Sequence, residues 1–264
     1  MSDRINVRNP NEISKLRKAG EVSARILMDL MPIIKPGITT KEIDDYAAEL
    51  FKREGCGNAF LGYGGYPGQL CISVNEVVVH GIGDNRVIHD GDIVSLDAGA
   101  IVDGWYGDNA MTVPVGNVRE DALRLLAVTE EALFRGIEQA RQGNPLSEVC
   151  GAIEDFVKPF GFGIVRDYVG HGVGRHLHED PSIPNYRPNY PLPRLKRGMI
   201  LAIEPMITLG TYRVKVLDDD WTAVTTDGSW AAHFEHTVAV GSHGGDILTE
   251  RPRIALPEQL GITL

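Results

Sequence analysis

Two stretches of the chain, HDGDIVSLD at residues 89–97 and KRGMILAIE at residues 196–204, align with a constant offset of 107 residues. In each stretch an apolar run typical of a buried β-strand ends on an acid, Asp97 in the first and Glu204 in the second. A lone buried carboxylate is costly unless it is protonated, paired or bound to a metal. The matched strands therefore predict a repeated fold and two acids with a chemical role.

A second alignment, offset by 106 residues, relates two helical patterns that precede these strands. It matches Ile43, Leu50, Phe51 and Gly55 with Val149, Phe156, Val157 and Gly161. Another helical pattern precedes each of the two, one over residues 11–31 behind Asn9-Pro10 and a long one that ends at Gly143. The alternative is that two similar amphipathic units align by chance.

We predict an α/β (α+β) fold in which two duplicated halves, each ordered helix, helix, strand, strand, share one sheet with a cleft between them. The halves comprise about residues 1–117 and 118–264. Since no low-complexity segment or linker separates them, we treat residues 1–264 as one domain.

The composition favours a cytoplasmic protein that folds on its own. Of its 264 residues 43% are hydrophobic, and the start, with Asp3 and Arg4, is too charged for a secretory signal. No apolar run approaches the length of a membrane span. Cys56, Cys71 and Cys150 lack Cys-x-x-Cys spacing, so we expect reduced thiols. A net charge of -10 disfavours non-specific nucleic-acid binding and favours cationic partners such as peptide amino termini.

One predicted β-hairpin brings two acids together. If Asp103 and Gly104 form a two-residue turn, residues pair where their numbers sum to 207, so Gly99 lies opposite Asp108. Asp97 is then two residues along on the same face, with its backbone roughly 7 to 8 Å from that of Asp108. The two carboxylates are therefore within reach of a shared cation.

Two further motifs add candidate ligands, Glu235 in AAHFEHTVAV and His171 in YVGHGVGRHLHED. Four carboxylates packed together would repel one another and take up protons, whereas two divalent ions supply +4 against -4. The oxygen-rich set with one imidazole suits Mn, Fe, Co or Zn. Considered singly, Asp108 could be an ordinary hairpin residue, and Glu235 could pair with His236. The four acids are Asp97, Asp108, Glu204 and Glu235.

These motifs resemble type I methionine aminopeptidases of the short bacterial form over essentially the whole chain. They are LDAGAIVDGWYGDNA around Asp97 and Asp108, GHGVGRHLHEDP with His171, MILAIEPM with Glu204, FEHT with Glu235 and NEVVVHGI with His80. The resemblance implies the pita-bread fold, with pseudo-two-fold symmetry and two metals in the cleft. It implies that Asp108 and Glu235 bridge the two ions. The full ligand set that it implies is Asp97, Asp108, His171, Glu204 and Glu235.

The resemblance also implies roles in amide hydrolysis. Glu204 is the expected general base, His178 stabilises the developing oxyanion, and His80 contacts the scissile amide nitrogen or its proton path. Taken alone, His80 in the apolar run VVVHG is more typical of a core histidine. The expected pocket for the methionine side chain is apolar and consists of Tyr63, Tyr66, Cys71, Leu177 and Trp221.

Several of these residues have plainer alternatives. The alternative for His178 is a hydrogen bond to Glu179 or Asp180. For Cys71 it is a buried structural thiol, and for Trp221, which follows three aspartates, it is solvated surface. At positions 176 and 177 this chain has a histidine and a leucine where the family commonly has a smaller residue and an aromatic one.

We therefore expect a monomeric enzyme that removes the initiator methionine from nascent polypeptides whose second residue is small. A transient ribosome contact is compatible with that role, and no specific nucleic acid or membrane is expected. One alternative is a prolidase or aminopeptidase P of the same fold, enzymes that usually carry a separate N-terminal domain. The other is a non-catalytic binding protein of this fold, which loss of metal ligands would mark, and all five candidates are present.

Overall fold

The computed structural model describes residues 5–264, so Asp3 and Arg4 lie outside it. Up to residue 117 the elements are α1 (Pro10–Leu30), α2 (Thr40–Glu54), β1 (Gly57–Asn58), β2 (Cys71–Val74), β3 (Val77–Val79), β4 (Ile93–Val102) and β5 (Trp105–Pro114). The remaining elements are α3 (Glu120–Gln139), α4 (Leu146–Val157), β6 (Gly163–Ile164), β7 (Gly170–Gly172), β8 (Glu179–Ile183), β9 (Ile200–Ile203), β10 (Met206–Thr208), β11 (Val214–Val216), β12 (Ala223–Thr225), β13 (Ala231–His233), β14 (His236–Val240), β15 (Gly245–Ile247) and α5 (Pro257–Leu260).

The helix ends follow from local capping. Asn9 accepts a hydrogen bond from the Glu12 amide while Glu12 accepts one from the Asn9 amide, a capping box that starts α1. Thr39 and Glu42 form the same arrangement at α2. Gly55 ends α2 with φ +64°, a left-handed conformation that suits glycine. Both predicted helices are confirmed.

The predicted repetition of elements is present. Helices α2 and α4 begin at residues 40 and 146, 106 residues apart, and Gly161 has the same left-handed conformation as Gly55. Helix α3 ends at Gln139, four residues before the predicted end at Gly143. The boundary between the halves near residue 117, between β5 and α3, stays a prediction.

The hairpin of β4 and β5 has the predicted register. Gly99 lies opposite Asp108 and Asp97 opposite Ala110, so the residue numbers sum to 207. Asp103 and Gly104 form the turn with φ of +51° and +72°. The local prediction that places Asp97 and Asp108 on one face is therefore confirmed.

Within residues 5–264, the strands form four separately hydrogen-bonded antiparallel sheets. Their strand orders are β1-β4-β2 with β5 beside β4, β13-β10-β6, β11-β12-β3, and β15-β14-β9-β7-β8. The long strand β4 has two shorter counterparts, β9 and β10, because Pro205 between them has no backbone N–H to donate. Glu204 thus lies at a break between two sheets.

Threonine hydroxyls join the two halves across a seam between β5 and residues 233–237. The Thr112 hydroxyl donates to the His233 carbonyl over 2.8 Å and accepts from its amide over 2.9 Å. The Thr237 hydroxyl donates to the Asp108 carbonyl over 2.8 Å and accepts from its amide over 3.2 Å. In both pairs the residue numbers sum to 345, so the strands run in antiparallel register.

A direct backbone bond completes this seam. The Glu235 amide donates to the Ala110 carbonyl over 2.8 Å, in the same register. The guanidinium of Arg251 donates to the same carbonyl over 2.9 Å. Arg251 also lies 3.5 Å from Glu130 of α3, and both side chains are buried. Glu130 accepts hydrogen bonds from the amides of residues 254 and 255, which ties the C-terminal segment to α3.

Helix α1 packs directly on this layer. A Cβ on Gly107 would lie 2.4 Å from the Gly20 nitrogen, so β5 has room for the helix only because residue 107 is glycine. The Ser23 hydroxyl donates to the Ala98 carbonyl over 2.7 Å and fixes the helix over β4. Within residues 5–264, no helix combines the length and the apolar character needed to cross a membrane.

We predict that Arg251→Met lowers the free energy of unfolding by about 3–5 kcal/mol, because it removes the buried cation beside the Glu130 carboxylate and leaves only the partly exposed Arg253, 3.5 Å away. Urea denaturation followed by circular dichroism measures this. Lys41→Met is the matched control, since Lys41 pairs with Asp45 on the solvent-exposed surface of α2 and should matter far less. An equal loss in both variants would contradict the buried-pair argument.

Candidate metal centre and active site

One cavity of about 200 Å³ gathers all twelve residues predicted for the site. The predicted residues that line it are Tyr63, Tyr66, Cys71, His80, Asp97, Asp108, His171, Leu177, His178, Glu204, Trp221 and Glu235. Six further residues complete its wall: Phe60, Val79, Tyr168, Val169, Met206 and His233. The placement of these residues agrees with the sequence analysis, and their roles stay predictions.

The acidic end of the cavity lies at the seam between the halves. Ligand atoms of Asp108, His171 and Glu235 lie within 4.8 Å of one another. Nε2 of His171 is 3.4 Å from Oε1 of Glu204 and 3.7 Å from Oδ2 of Asp108. Asp97 joins them from the neighbouring strand through the hairpin register. Both halves therefore supply acids, Asp97 and Asp108 from strands β4 and β5, and Glu204 and Glu235 from the short gaps between strands.

Several oxygen atoms in this group have no protein partner. Oδ1 of Asp97, Oδ1 of Asp108 and Oε1 of Glu235 are buried and accept no hydrogen bond within the described part of the chain. Buried polar atoms are normally satisfied, so unpartnered oxygens on three acids that line one cavity indicate a site for a cation. Hard or borderline divalent cations fit an oxygen-rich set with one imidazole.

His171 is oriented as a metal ligand. Its Nδ1 lies 2.9 Å from the carbonyl oxygen of Gly172, which can only accept, so Nδ1 carries the proton. Nε2 then presents a lone pair toward Asp108 and Glu204. Burial and the neighbouring His178 lower the pKa of His171 to about 3, so the ring is neutral at pH 7.

The metal-free acids resist ionisation together. Burial raises the pKa of Asp108 to about 7, and burial with the charge of Asp108 raises the pKa of Asp97. Burial, followed by repulsion from neighbouring carboxylates, also raises the pKa values of Glu204 and Glu235. The alternative for Glu235 is wrong, because His236 contacts the Thr249 hydroxyl at 2.9 Å instead.

His178 is held by Tyr63 rather than by an acid. The Tyr63 hydroxyl lies 2.7 Å from Nδ1 of His178. Burial lowers the pKa of His178, and in the neutral ring an Nδ1 that accepts the tyrosine proton leaves the other proton on Nε2. The neighbouring acid, Glu179, accepts from Asn6 and Arg8 instead. The alternative of a His178–Glu179 bond is therefore wrong.

Aromatic rings form the apolar wall. Trp221 packs edge-on against Tyr66 with ring centroids 5.1 Å apart, so it does not lie on the open surface. His80 packs edge-on against Tyr168 at 5.2 Å, and its φ of +59° is a strained conformation typical of functional sites. Burial, then the neighbouring His178, lowers the pKa of His80 to about 4. Cys71 is both buried and part of this wall.

Two features of the site were missed from the sequence. His233 lines the cavity, and its Nε2 is 3.5 Å from Oε2 of Glu204. Its signal was the spacing His-x-Glu in AAHFEHT, which places His233 and Glu235 two residues apart on one extended segment. Tyr168 was missed because it lies in a loop outside any periodic pattern.

A second, more open cavity of about 550 Å³ adjoins the first. The two share Val169, His171 and His178. The remaining residues of the open cavity are Asn6, Gly170, His176, Glu179, Asp180 and Ser182. Most of the side chains that line it are polar.

Comparisons with known proteins agree with this geometry. Residues 14–242 match the family model of metallopeptidase family M24. Methionine aminopeptidase 1 of Bacillus subtilis is 50% identical over 242 residues, which cover 92% of this chain and 98% of that protein. The crystal structure of the methionine aminopeptidase of Thermotoga maritima superposes with a TM-score of 0.91 at 46% identity and covers 94% of this chain and 100% of that one. The prolidase of Pyrococcus furiosus has a TM-score of 0.75 at 27% identity, and the match covers 95% of this chain and 66% of that one.

The chain therefore belongs to metallopeptidase family M24, within the branch of the methionine aminopeptidases. The predicted pita-bread fold is confirmed by the same superpositions. Family and donor set together support the use of divalent metal ions.

We predict that divalent metal stabilises the protein more at pH 7.5 than at pH 5.5. The pKa of Asp108 in the metal-free fold is about 7, above its usual value, so its contribution to stability is lost as pH rises through 7. Bound cations take the place of the protons that the buried carboxyl groups hold in the metal-free fold. Melting temperatures with and without Mn(II) at both pH values measure this.

Asp108→Asn serves as the control, because it removes the titrating group at the seam and a ligand. In that variant the gain from Mn(II) should shrink at both pH values. An equal gain at pH 5.5 and 7.5 in the parent protein would contradict the prediction.

Proposed function

We propose that this chain removes the N-terminal methionine from nascent polypeptides when their second residue is small, with the help of two divalent ions. The observation that carries the proposal is one cavity with converging orphaned carboxylates at one end and an apolar wall at the other. The methionine aminopeptidases to which the chain is similar over almost their whole length support it.

Four acids and one imidazole would hold the ions. When bound, two divalent ions polarise the scissile carbonyl and lower the pKa of the attacking water. Mn, Fe, Co and Zn all suit the donors. The set is Asp97, Asp108, His171, Glu204 and Glu235.

Glu204 would act as the general base. Its side chain lies at the break between β9 and β10, where it reaches the cavity rather than a sheet partner. Once ionised, it can take the proton of the attacking water and deliver it to the leaving amine nitrogen.

His178 and His80 would act on the substrate amide. Because Tyr63 occupies Nδ1 of His178, its Nε2–H is free to donate to the carbonyl oxygen as negative charge develops there. His80 lies beside Trp221 and Tyr168, where its neutral ring can contact the amide nitrogen. Both rings are uncharged at pH 7, so each can take up a proton during the reaction and release it again.

The apolar wall would select methionine. An unbranched thioether fits between aromatic rings and makes favourable contacts with them, whereas a charged side chain would lose its hydration there. Burial raises the pKa of the Cys71 thiol, so no thiolate charge opposes an apolar ligand. The wall consists of Phe60, Tyr63, Tyr66, Cys71, Leu177 and Trp221.

Two alternative functions predict different activities on peptides. A prolidase or aminopeptidase P would prefer Xaa-Pro peptides, and a binding protein would not turn over peptides at all. The intact set of five candidate ligands together with His80 and His178 favours catalysis. We also propose cytoplasmic location, a monomer and at most a transient ribosome contact, which sedimentation with and without ribosomes tests.

We predict that catalytic efficiency on Met-Xaa-Ser peptides falls steeply when the second residue is large. Gly, Ala and Ser should be accepted, whereas Leu or Lys should press on the cleft and shift the carbonyl, and a misplacement near 1 Å can lose on the order of 10²-fold in rate. Initial rates with Mn(II), Fe(II), Co(II) and Zn(II) also identify the working metal. Leu-Ala-Ser and Xaa-Pro peptides are the controls, and faster cleavage of either would favour another M24 activity.

We predict that Glu204→Gln lowers kcat by about 10² to 10⁴, the usual contribution of a general base. An amide cannot accept the proton of water, and it is also a poorer metal ligand. Metal content of the purified variant, measured by mass spectrometry, separates the two effects. Near-normal turnover with metal bound would remove Glu204 from the mechanism.

A further inference from the structure

His233 is a buried imidazole that the proposed reaction leaves without a task. It ends β13, lines the main cavity, and its side chain is 3% exposed. Its Nε2 has no hydrogen-bond partner within residues 5–264. A buried nitrogen without a partner is unusual and indicates an interaction made only in the working state.

The geometry around Glu204 shows what that interaction is. Its Oε1 lies 3.4 Å from Nε2 of His171, and its Oε2 lies 3.5 Å from Nε2 of His233. The carboxylate is thus placed between two imidazoles. His171 presents a lone pair on its side, so a donor on the other side would fix which oxygen faces which ring.

The backbone of His233 is held firmly enough for such a task. Its amide and carbonyl both bind the Thr112 hydroxyl, over 2.9 and 2.8 Å. Thr112 in turn contacts the Ser95 hydroxyl at 2.8 Å. Across the sheet, His233 lies opposite Met206, two residues from Glu204. Both ends of the contact are therefore fixed by neighbouring strands.

We propose that His233 is a positioning residue, whose Nε2–H donates to Oε2 of Glu204 and keeps Oε1 directed at His171 and the metal position. The catalytic part of this proposal rests on the proposed function, whereas the expected effect on metal affinity does not. A carboxylate that is held in one orientation needs no reordering when it binds a cation or takes up a proton.

Three variants of the full-length protein test the proposal. In His233→Gln the amide nitrogen can take the place of Nε2, whereas in His233→Asn the same group is one carbon too short, and His233→Leu has no donor. Calorimetric titration of metal-stripped protein with Mn(II) is the first readout. The second is kcat and KM on Met-Ala-Ser at saturating Mn(II). His89→Leu, an exposed residue outside the cavity, is the control.

We expect His233→Gln to stay within about threefold of the parent in both readouts, and the Asn and Leu variants to lose about 10- to 100-fold in metal affinity or kcat, with little change in KM. Melting temperatures establish that each variant is folded. If the Leu variant does not fold, the comparison of Gln with Asn decides the question.

Two outcomes would overturn the proposal. One is an Asn variant, or a folded Leu variant, within threefold of the parent in both Mn(II) affinity and kcat. The other is a Gln variant as impaired as the Asn variant, which would require the imidazole itself, for instance as a direct ligand. If instead the parent fails to cleave Met-Ala-Ser while the variants still differ in Mn(II) affinity, the proposed function fails and the positioning role stands.

Discussion

The antiparallel seam between β5 and residues 233–237 is the constraint on which the site depends. Thr112 and Thr237 each bind both backbone groups of the residue opposite, so the two halves are locked in a single register. A slip of one residue would turn Asp108 and Glu235 to the other face of the layer. The direct hydrogen bond from the Glu235 amide to the Ala110 carbonyl lies between the two threonine contacts in the same register.

The same register buries four carboxyl groups close together, which is electrostatically unfavourable when they are ionised. Burial raises the pKa values of all four acids, and repulsion from neighbouring carboxylates adds to the shift for Asp97, Glu204 and Glu235, so the metal-free site opposes folding at neutral pH. Arg251 behind the seam is the nearest buried cation, and it lowers the pKa of Glu235 without entering the cavity. It is itself balanced by Glu130, so the seam stays close to neutral on that side. The remaining negative charge faces inward, where only a cation or protons can offset it.

Features that depend on neighbours in sequence could be predicted, and features that depend on distant partners could not. Turn chemistry at Asp103 and Gly104 sufficed for the register of Asp97 and Asp108, because hairpin pairing follows from the turn alone. The partner of His178 is Tyr63, 115 residues away in a loop, and no local pattern relates the two. The break of the second long strand could have been read from Pro205, since proline cannot donate to a ladder. The role of His233 could not be predicted, because its alternation with Glu235 is short and the carboxylate beside it, Glu204, is 29 residues away in sequence.

The histidines illustrate why residue type alone does not specify a role. His171 donates through Nδ1 to a carbonyl, so its Nε2 offers a lone pair to a metal. In the neutral His178 ring, an Nδ1 that accepts from the Tyr63 hydroxyl leaves the ring proton on Nε2, which can then donate. The two rings lie 4.3 Å apart in one cavity and are both neutral at pH 7, yet one can act as a ligand and the other as a donor. The difference originates in the second nitrogen of each ring, because the backbone carbonyl of Gly172 accepts from Nδ1 of His171 whereas the hydroxyl of Tyr63 contacts Nδ1 of His178.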